Sequence, residues 1–365
     1  MSKMYEKYAV EERCHRILEN NGGLIADKAR RILLEDPALK ALQPSLEFIS
    51  KNWRNPLTPA LISLSCEAVG GRRDETYDAA LAMSLMSLSF YVWDDVVDKT
   101  TFKLFKPTLL GKFGGDTSLI VGGLATAKAF LILNQFKAGK AKHQAIAQLC
   151  WNLWTKMAKA EILTLQLQGP DKLSSKKKFW KIKTEATDLE TCLSIGAIIG
   201  DGSEKEIQQL RVYGVCLGII LELSKDFQVS VNLTAGLAQR LKIKAFPYSL
   251  LWASERSEKI RRILNLSSET TVNQAYIKEI VEKALETKML EHTVRLIKKF
   301  TKKATMELMA LKKNNATRTL QLFIEAQPSL FMQSLKPLQA CDNYSCGGHF
   351  WSGPTDNNTD TTVAR

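Results

Sequence analysis

The chain has 365 residues, of which 45% are hydrophobic, and its formal net charge is +13. This length is sufficient for one large core or two ordinary domains. The positive charge suits an anionic membrane surface or a polyphosphate substrate, although a basic solvent-exposed surface accounts for much of it. Because the sequence has no arginine-rich arm and no interleaving of basic and aromatic residues, a nucleic-acid partner is not expected.

The seven cysteines are odd in number and lie mostly in apolar segments, which predicts reduced, buried thiols in an intracellular, cytoplasmic protein. Residues 1–13 are charged and contain no apolar core, so no signal peptide is predicted. The apolar segments are interrupted before the roughly 18 residues that a membrane-spanning helix needs, and none is expected. Cys341, Cys346 and His349 lie close together, but zinc binding there is disfavoured because a second paired motif is missing.

Glycine and proline are sparse and helix-forming residues dominate, so helices are predicted along the chain. Residues 20–23, Asn-Asn-Gly-Gly, predict a turn that divides two short helices. Helices are predicted over 4–20, 24–34, 60–69, 79–98, 117–136, 142–167, 174–199, 204–231, 248–264, 272–299 and 301–334. Residues 1–340 are predicted to form one all-α domain, followed by a polar, disordered tail over 341–365.

The most informative segment is the apolar run Ala79–Trp93, whose polar members are three serines. A helix this apolar has no solvent face and must lie inside the protein. It ends in three acids, Asp94, Asp95 and Asp98, here called the first acidic cluster. Their spacing lets all three lean toward one point, where Mg²⁺ could bridge to substrate phosphates. The alternative, a capping cluster for the next segment, is weaker because a cap uses one acid.

A second acidic cluster consists of Glu222, Asp226 and Ser230, which are spaced four residues apart in another apolar segment. On a helix they stack on one face and could complete the metal sites of the first cluster. The alternative is an ordinary solvent face, since Lys225 and Gln228 nearby are also polar. A second apolar helix, 117–136, contains Gly122-Gly123, which permit close packing.

The order of motifs between Pro59 and Pro247 resembles the trans-isoprenyl diphosphate synthase (polyprenyl synthetase) family. The matching segments are Pro59-Ala60-Leu61 with Glu67-Ala68-Val69-Gly70-Gly71, Asp94-Asp95-Val96-Val97-Asp98, Lys106-Pro107-Thr108 with Lys112-Phe113-Gly114, Lys183-Thr184, and Tyr213-Gly214 with Leu217-Gly218. The resemblance implies an all-α, single-domain helical bundle of the class I isoprenoid synthase (terpenoid synthase) fold around a central cavity. It also implies a homodimer, for which the apolar helix 117–136 offers a surface.

The resemblance further implies roles for the residues of both acidic clusters and for two lysines. Asp94, Asp95 and Asp98 would be catalytic metal ligands for two or three Mg²⁺ ions. Lys103 and Lys183 would bind the diphosphate of an allylic prenyl substrate. Glu222, Asp226 and Ser230 would complete the metal sites from the opposite side.

The chain departs from the family at the second substrate. Chain-elongating members hold isopentenyl diphosphate with a Gly-Lys-Arg-x-Arg-Pro element, a histidine and a further arginine. At the matching positions this chain has Asn55, Thr58, Ser87 and Leu104. Each charge-assisted contact contributes about 1.5–3 kcal/mol, so these losses should abolish useful affinity unless Arg54, Arg72 or Arg73 substitutes.

The second aspartate-rich motif is also altered, to Lys225-Asp226-Phe227-Gln228-Val229, and it keeps one of three aspartates. Glu222 stands where the family usually has glutamine. Compared with the Asn/Asp-x-x-x-Ser-x-x-x-Glu motif of terpene cyclases, the chain has Asp226 and Ser230 but Thr234 in place of the glutamate. A third metal site is therefore weakened on either comparison.

A cation-forming enzyme needs a dry apolar pocket beside the metal ions and basic groups that hold the leaving diphosphate. Phe90 and Tyr91 come just before the first acidic cluster, where the family sets product length, and Ser87 lies one turn earlier. These three residues are the predicted substrate pocket, in which the rings could stabilise a cation. The alternative is that the aromatic residues are simply core.

With one diphosphate site kept and the other lost, the favoured hypothesis is a Mg²⁺-dependent terpene synthase. It would ionise one allylic prenyl diphosphate and cyclise it or quench it with water. One alternative is a chain-elongating isoprenyl diphosphate synthase, a prenyltransferase with a relocated isopentenyl site. Another is a non-catalytic regulatory subunit, which the intact Asp94, Asp95 and Asp98 argue against. Peripheral contact with an anionic membrane is a further expectation from the charge.

Overall fold

The computed structural model of the chain describes residues 2–103, 106–166, 175–185, 187–231, 235–242, 244–266 and 272–335. The predicted tail, Cys341, Cys346 and His349 lie outside these residues, and so does Leu104. Within them the regular secondary structure is helical apart from a hairpin of two short strands, β1 (Phe102–Lys103) and β2 (Lys106–Pro107), which pair antiparallel. The predicted all-α class is confirmed.

The helices, in chain order, are α1 (Ser2–Arg31), α2 (Gln43–Asn52), α3 (Leu57–Ala68), α4 (Tyr77–Val97), α5 (Leu109–Gln135), α6 (Lys140–Gln166), α7 (Ser175–Glu185), α8 (Thr187–Ile199), α9 (Glu204–Val231), α10 (Ala235–Lys242), α11 (Tyr248–Ser254), α12 (Glu258–Leu266), α13 (Gln274–Glu286), α14 (Met289–Met309) and α15 (Asn315–Ser334). Two short 3₁₀ turns, Pro37–Leu42 and Arg73–Thr76, precede α2 and α4. Helix α4 packs mainly on α5, while α8 lies between α3 and α9.

Several predicted boundaries are wrong. The turn expected at residues 20–23 is absent, and α1 continues through Gly22 and Gly23. A Cβ atom at Gly22 would lie 2.2 Å from the carbonyl oxygen of Pro56, so this glycine allows α1 to pack against the start of α3. Packing offsets the roughly 1 kcal/mol that a glycine costs inside a helix. The boundary predicted between residues 299 and 301 is also wrong, because α14 runs unbroken from Met289 to Met309. The next helix, α15, begins after Asn314, which caps it with a capping box.

The close contact between α4 and α5 depends on Gly122. The Ser89 hydroxyl donates a hydrogen bond to the carbonyl oxygen of Gly122 at 2.8 Å. A Cβ atom at Gly122 would lie 2.2 Å from Nε1 of Trp93, whereas one at Gly123 would have no neighbour within 4 Å. The prediction that these glycines permit close packing is therefore confirmed for Gly122 alone.

Three segments are long and apolar enough to cross a membrane by length and composition, so the prediction that none would be is wrong. They are Arg73–Val97, Leu109–Gln135 and Glu204–Val231. The serines in these helices do not lower the mean hydropathy below the level that a membrane-spanning helix requires. In the first and third segments 61% of the most apolar window is buried inside the protein, against 39% in the second. Helix α5 consequently has exposed apolar side chains, including Leu119, Ile120 and Leu131.

The cysteines that the structure describes, Cys14, Cys66, Cys150, Cys192 and Cys216, are buried and form no disulfide. The expected buried thiols are therefore confirmed among these residues. Burial raises the pKa of Cys66 and Cys150 to about 12. Such thiols are unreactive and act as small apolar groups of the core.

Helix α11 is joined to α14 by one histidine. The Tyr248 hydroxyl lies 2.8 Å from Nε2 of His292, and the His292 ring stacks on Trp252 with ring centroids 4.2 Å apart. Burial, together with the positive charges of Arg256 and Arg295, lowers the pKa of His292 to about 4. The neutral ring is therefore the form that holds these two helices together.

We expect Gly122→Ala to lower the free energy of unfolding by about 1–3 kcal/mol, because the added methyl group overpacks the contact with Trp93. Gly123→Ala is the matched control in the same helix. It should raise the free energy of unfolding by about 0.5–1 kcal/mol, because alanine replaces glycine with no steric conflict. Urea unfolding followed by circular dichroism measures both. Equal effects of the two substitutions would contradict the assigned contact.

We expect His292 to make the protein less stable at low pH. Since its pKa is lower in the folded state than in the unfolded chain, its stabilising contribution is present above about pH 6.5 and is lost as the pH falls toward 4. Thermal unfolding of the wild type and His292→Gln should therefore show a smaller loss of Tm between pH 7 and pH 5 in the variant. An identical loss in both proteins would refute the assignment.

Candidate functional site

The first acidic cluster occupies the last turn of α4. Asp95 is fully buried at 1% exposure, Asp98 is 16% exposed and Asp94 is 34% exposed. After α4 ends at Val97, Lys99 takes a positive φ of 52°, and the N–H of Thr100 closes the helix end by donating to the carbonyl oxygen of Asp95 at 2.8 Å. Carboxylates at a helix C-terminus face the negative end of the helix dipole, so this cluster requires cations.

Lys103, on β1, supplies the nearest cation. Its Nζ lies 2.5 Å from Oδ1 of Asp95 and 3.7 Å from Oδ2 of Asp94, and 4.7 Å from the centre of the Tyr91 ring. Burial raises the pKa of Asp95 to about 6, and Lys103 opposes that rise. The hairpin therefore holds Lys103 beside Asp94 and Asp95, and the diphosphate-binding role of Lys103 stays a prediction.

Helix α10 covers the end of the first acidic cluster. Nη2 of Arg240 lies 3.6 Å from Oδ2 of Asp98. The Gln239 side chain donates a hydrogen bond to the carbonyl oxygen of Lys99 at 2.8 Å. The sequence analysis missed Arg240, which lies outside the motifs that it compared.

Asp94 is surrounded by cations from several elements. Burial would raise its pKa, but Lys225, Lys103, Lys181 and Arg240 together hold it below its ordinary range. Asp94 is therefore a carboxylate at neutral pH. Lys225 is the largest of these charge contributions, although it stands where the family has an aspartate.

The second acidic cluster is largely engaged within the protein. Oδ2 of Asp226 accepts the N–H of Tyr248 at 2.6 Å, and Nζ of Lys178 lies 4.0 Å from Oδ1. The Ser230 hydroxyl donates to the carbonyl oxygen of Asp226 at 2.9 Å and lies 2.6 Å from the Ser249 hydroxyl. Asp226 thus acts as a side-chain cap for the first turn of α11.

Glu222 lies one turn before Asp226 and contacts Lys225, with 3.9 Å between Oε2 and Nζ. It also raises the pKa of Asp188, an acid that the sequence analysis did not select. Burial is the main cause of that rise, to about 7, and the N–H of Leu189, which donates to Oδ1 of Asp188 at 2.7 Å, opposes it. No motif signalled Asp188.

Helix α7 carries three lysines near the site, and the role predicted for Lys183 stays a prediction. Nζ of Lys183 lies 4.8 Å from the ring centre of Trp180, which is mostly exposed. Lys178 and Lys181 are instead 8% and 6% exposed, and Lys181 acts on Asp94. Lys178 and Lys181 are three residues apart, a spacing that on a helix indicates a shared face.

The residues at the expected second-substrate site bind one another. Nδ2 of Asn55 donates to the Thr58 hydroxyl at 3.1 Å and to the Ser87 hydroxyl at 2.9 Å. Oδ1 of Asn55 accepts the N–H of Leu57 at 3.1 Å. A neutral hydrogen-bonded network thus occupies the positions where the family has cationic groups.

The three arginines that could substitute there are engaged elsewhere. Arg54 pairs with Glu19 at 2.6 Å and Asp27 at 2.8 Å. The other pairs are Arg72 with Asp74, and Arg73 with Glu67. Each of these three arginines is thus already paired with a carboxylate.

The aromatic residues before the cluster pack on α6. The Phe90 and Trp93 rings lie 4.5 Å and 5.0 Å from Trp154, measured between centroids. Phe90, Tyr91 and Trp93 are partly buried and pack against the core. The predicted substrate pocket of Phe90, Tyr91 and Ser87 stays a prediction.

The donor set can be compared with the needs of Mg²⁺. Among the described residues no group of three His, Cys, Asp or Glu side chains could hold a metal alone. Mg²⁺, however, often uses one or two carboxylates and completes its shell with water and substrate phosphates. Asp94 and Asp98, partly exposed and four residues apart, fit that role. Asp226 and Ser230 do not fit, because both already have partners inside the protein.

The chain is similar in sequence to two plant geranylgeranyl pyrophosphate synthases. Geranylgeranyl pyrophosphate synthase 11 of Arabidopsis thaliana is 30% identical over 178 residues, 46% of this chain and 50% of that protein. Geranylgeranyl pyrophosphate synthase 12 of the same plant is 27% identical over 62% of this chain and 68% of its own length. The match with the first thus spans half the length of that relative.

The fold is also that of solved structures. A polyprenyl synthase from Caulobacter crescentus, complexed with calcium and isoprenyl diphosphate, is similar with a TM-score of 0.76 and 19% identity, covering 87% of this chain and 97% of that one. At this identity the likeness establishes the fold alone. The model of the polyprenyl synthetase family matches residues 41–239, more than half of the chain. The chain therefore belongs to the polyprenyl synthetase family.

Proposed function

We propose that this chain is a prenyltransferase-type enzyme that binds an allylic prenyl diphosphate at the first acidic cluster. The observation that carries the proposal is the placement of Asp94 and Asp98 at the C-terminal end of a buried helix, with Lys103 2.5 Å from Asp95. Ionising such a substrate separates charge, and preorganised cations that hold the departing diphosphate lower the barrier. Mg²⁺ on Asp94 and Asp98 would neutralise the charge of the leaving diphosphate.

Chain elongation with isopentenyl diphosphate is the first candidate reaction. The relatives carry the names geranylgeranyl pyrophosphate synthase and geranylfarnesyl diphosphate synthase, which denote enzymes that make longer prenyl diphosphates. Similarity to them supports this alternative more strongly than the cyclisation that the sequence analysis favoured. The cytoplasmic location, the homodimer and the membrane contact remain proposals.

A second candidate reaction uses no second diphosphate. The network of Asn55, Thr58 and Ser87 offers hydroxyl and amide groups but no charge to a second substrate. Each charge-assisted hydrogen bond that is missing costs about 1.5–3 kcal/mol of binding. An uncharged acceptor, such as water or a double bond of the substrate itself, matches such a surface better. This candidate corresponds to the terpene synthase hypothesis.

We expect Asp94→Asn to lower kcat/KM for an allylic prenyl diphosphate by about 100-fold or more, because it removes a charge that acts on the leaving group. The measurement is release of diphosphate by the purified protein with Mg²⁺. Asp78→Asn, at the opposite end of α4, is the matched control and should stay within about twofold of the wild type. Equal activity of the two variants would contradict the proposal.

The acceptor is identified by supplying allylic diphosphates of increasing length with and without isopentenyl diphosphate. Longer diphosphates that form only when both substrates are present are expected for chain elongation. If alcohol or hydrocarbon forms from the allylic substrate alone, the first candidate reaction is wrong and the second is supported. No turnover under either condition, together with activation of a catalytic partner, would overturn both and favour the regulatory subunit.

A further inference from the structure

Helix α14 carries a row of cations on the side that faces away from the core. The row, here called the basic stripe, consists of Arg295, Lys298, Lys299, Lys302 and Lys303, all of them exposed. They occupy positions i, i+3, i+4, i+7 and i+8, so they share one side of the helix. The opposite side, which includes Ile297, Ala304 and Leu308, is buried, and α14 packs mainly on α9. The basic stripe is therefore part of the outer surface of the chain.

The basic stripe is not neutralised by acids of the protein. The two acids of α14, Glu291 and Glu307, each lie four residues beyond an end of the stripe. Among the described residues none of the five cations forms an ion pair, in contrast to the lysines of α12 and α13. Those lysines pair with glutamates: Lys259 with Glu279, Lys278 with Glu282, and Lys283 with Glu286. Because like charges one turn apart destabilise a helix, an anionic partner would stabilise α14.

Apolar surface adjoins the basic stripe at both ends. Toward the start of α14 a groove of about 580 Å³ lies between α14 and α15, and Arg295 and Lys298 belong to its lining. The apolar residues of the groove are Leu290, Val294, Pro328 and Met332. Toward the end of the helix, Met306 and Met309 continue the face of the stripe and are 61% and 72% exposed. A lipid bilayer offers acyl chains beside anionic headgroups and so matches both parts of this surface, whereas a nucleic acid offers no acyl chain.

We propose that the basic stripe docks the protein on an anionic lipid bilayer, with Met306 and Met309 against the acyl chains. The net charge of +13 predicts contact with such a membrane but not the part of the chain that makes it. Clusters of four to eight lysines and arginines on an amphipathic helix bind anionic lipid headgroups through their charge. Docking through α14 concerns the location of the protein and is independent of the reaction that it catalyses.

Sedimentation of the full chain with lipid vesicles tests this inference. Vesicles of phosphatidylcholine alone are compared with vesicles that also contain phosphatidylserine. We expect binding to the second kind only, and release as the NaCl concentration is raised, because salt screens the attraction. Lys298→Gln/Lys302→Gln should lower the binding constant by roughly 10-fold or more, since each ammonium group near an anionic surface contributes about fivefold.

Lys137→Gln/Lys140→Gln is the matched control. Both lysines are exposed at the connection between α5 and α6, and the variant has the same net charge as Lys298→Gln/Lys302→Gln. It should bind within about threefold of the wild type, because charges distant from the contact are screened. Equal losses in the two double variants would show that net charge alone drives binding and would overturn the inference. Equal binding to both kinds of vesicle would also overturn it.

Met306→Ser/Met309→Ser tests the apolar part of the contact. The variant keeps every charge, so it should bind about fivefold or more weakly with an unchanged dependence on salt. Tm reports the folding of each variant. Unchanged binding in a folded variant would contradict a bilayer as the partner.

Two other partners of the basic stripe give different results. A changed oligomeric state of Lys298→Gln/Lys302→Gln, with vesicle binding intact, would assign the surface to a second copy of the chain and refute the inference. Binding of single-stranded RNA through these lysines without binding of vesicles would assign it to a nucleic acid and refute it as well. Because none of these measurements requires turnover, their outcome does not depend on the proposed function.

Discussion

The constraint on which the site depends is the burial of α4 with three acids at its C-terminal end. The helix has no solvent face, and its dipole disfavours carboxylates at that end. Uncompensated, such charges would cost more than a domain of ordinary stability can tolerate. The surrounding elements therefore each contribute a cation: β1 gives Lys103, α7 gives Lys181, α9 gives Lys225 and α10 gives Arg240.

The chain departs from the family in two regions, one of which lacks positive charge and the other negative charge. Asn55, Thr58 and Ser87 remove positive charge from the region where a second diphosphate would lie. Lys225, with Val229, removes negative charge from the region where further metal ions would lie. Each change is internally compensated, the first by mutual hydrogen bonds and the second by Glu222.

Parts of this arrangement could be predicted from sequence because they are local. The apolar run ending in Asp94 predicted a buried helix, and Gly122 predicted close packing. The register of α7 could not be predicted in the same way. The resemblance names Lys183, which lies over the Trp180 ring, whereas the charge of Lys181 is one of those that hold the pKa of Asp94 low, and the packing of α7 on its neighbours sets this register. The partners of Arg54, from 27 to 35 residues away, are equally non-local.

The continuous helix α1 illustrates the same limit. Two adjacent glycines favour a turn by local propensity, yet tertiary contact with the start of α3 requires a glycine within the helix at Gly22. Asp226 and Ser230 likewise have the spacing of metal ligands, but the neighbouring α11 uses both as structural partners. Spacing identifies which side chains share a face, whereas the element packed on that face determines their role.

The most direct measurement is a crystal structure of the protein with Mg²⁺ and a non-ionisable thiolo analogue of an allylic diphosphate. The account predicts Mg²⁺ on Asp94 and Asp98, with the diphosphate between that metal and the ammonium group of Lys103. A diphosphate bound elsewhere, or metal ions held by Asp226, would contradict it.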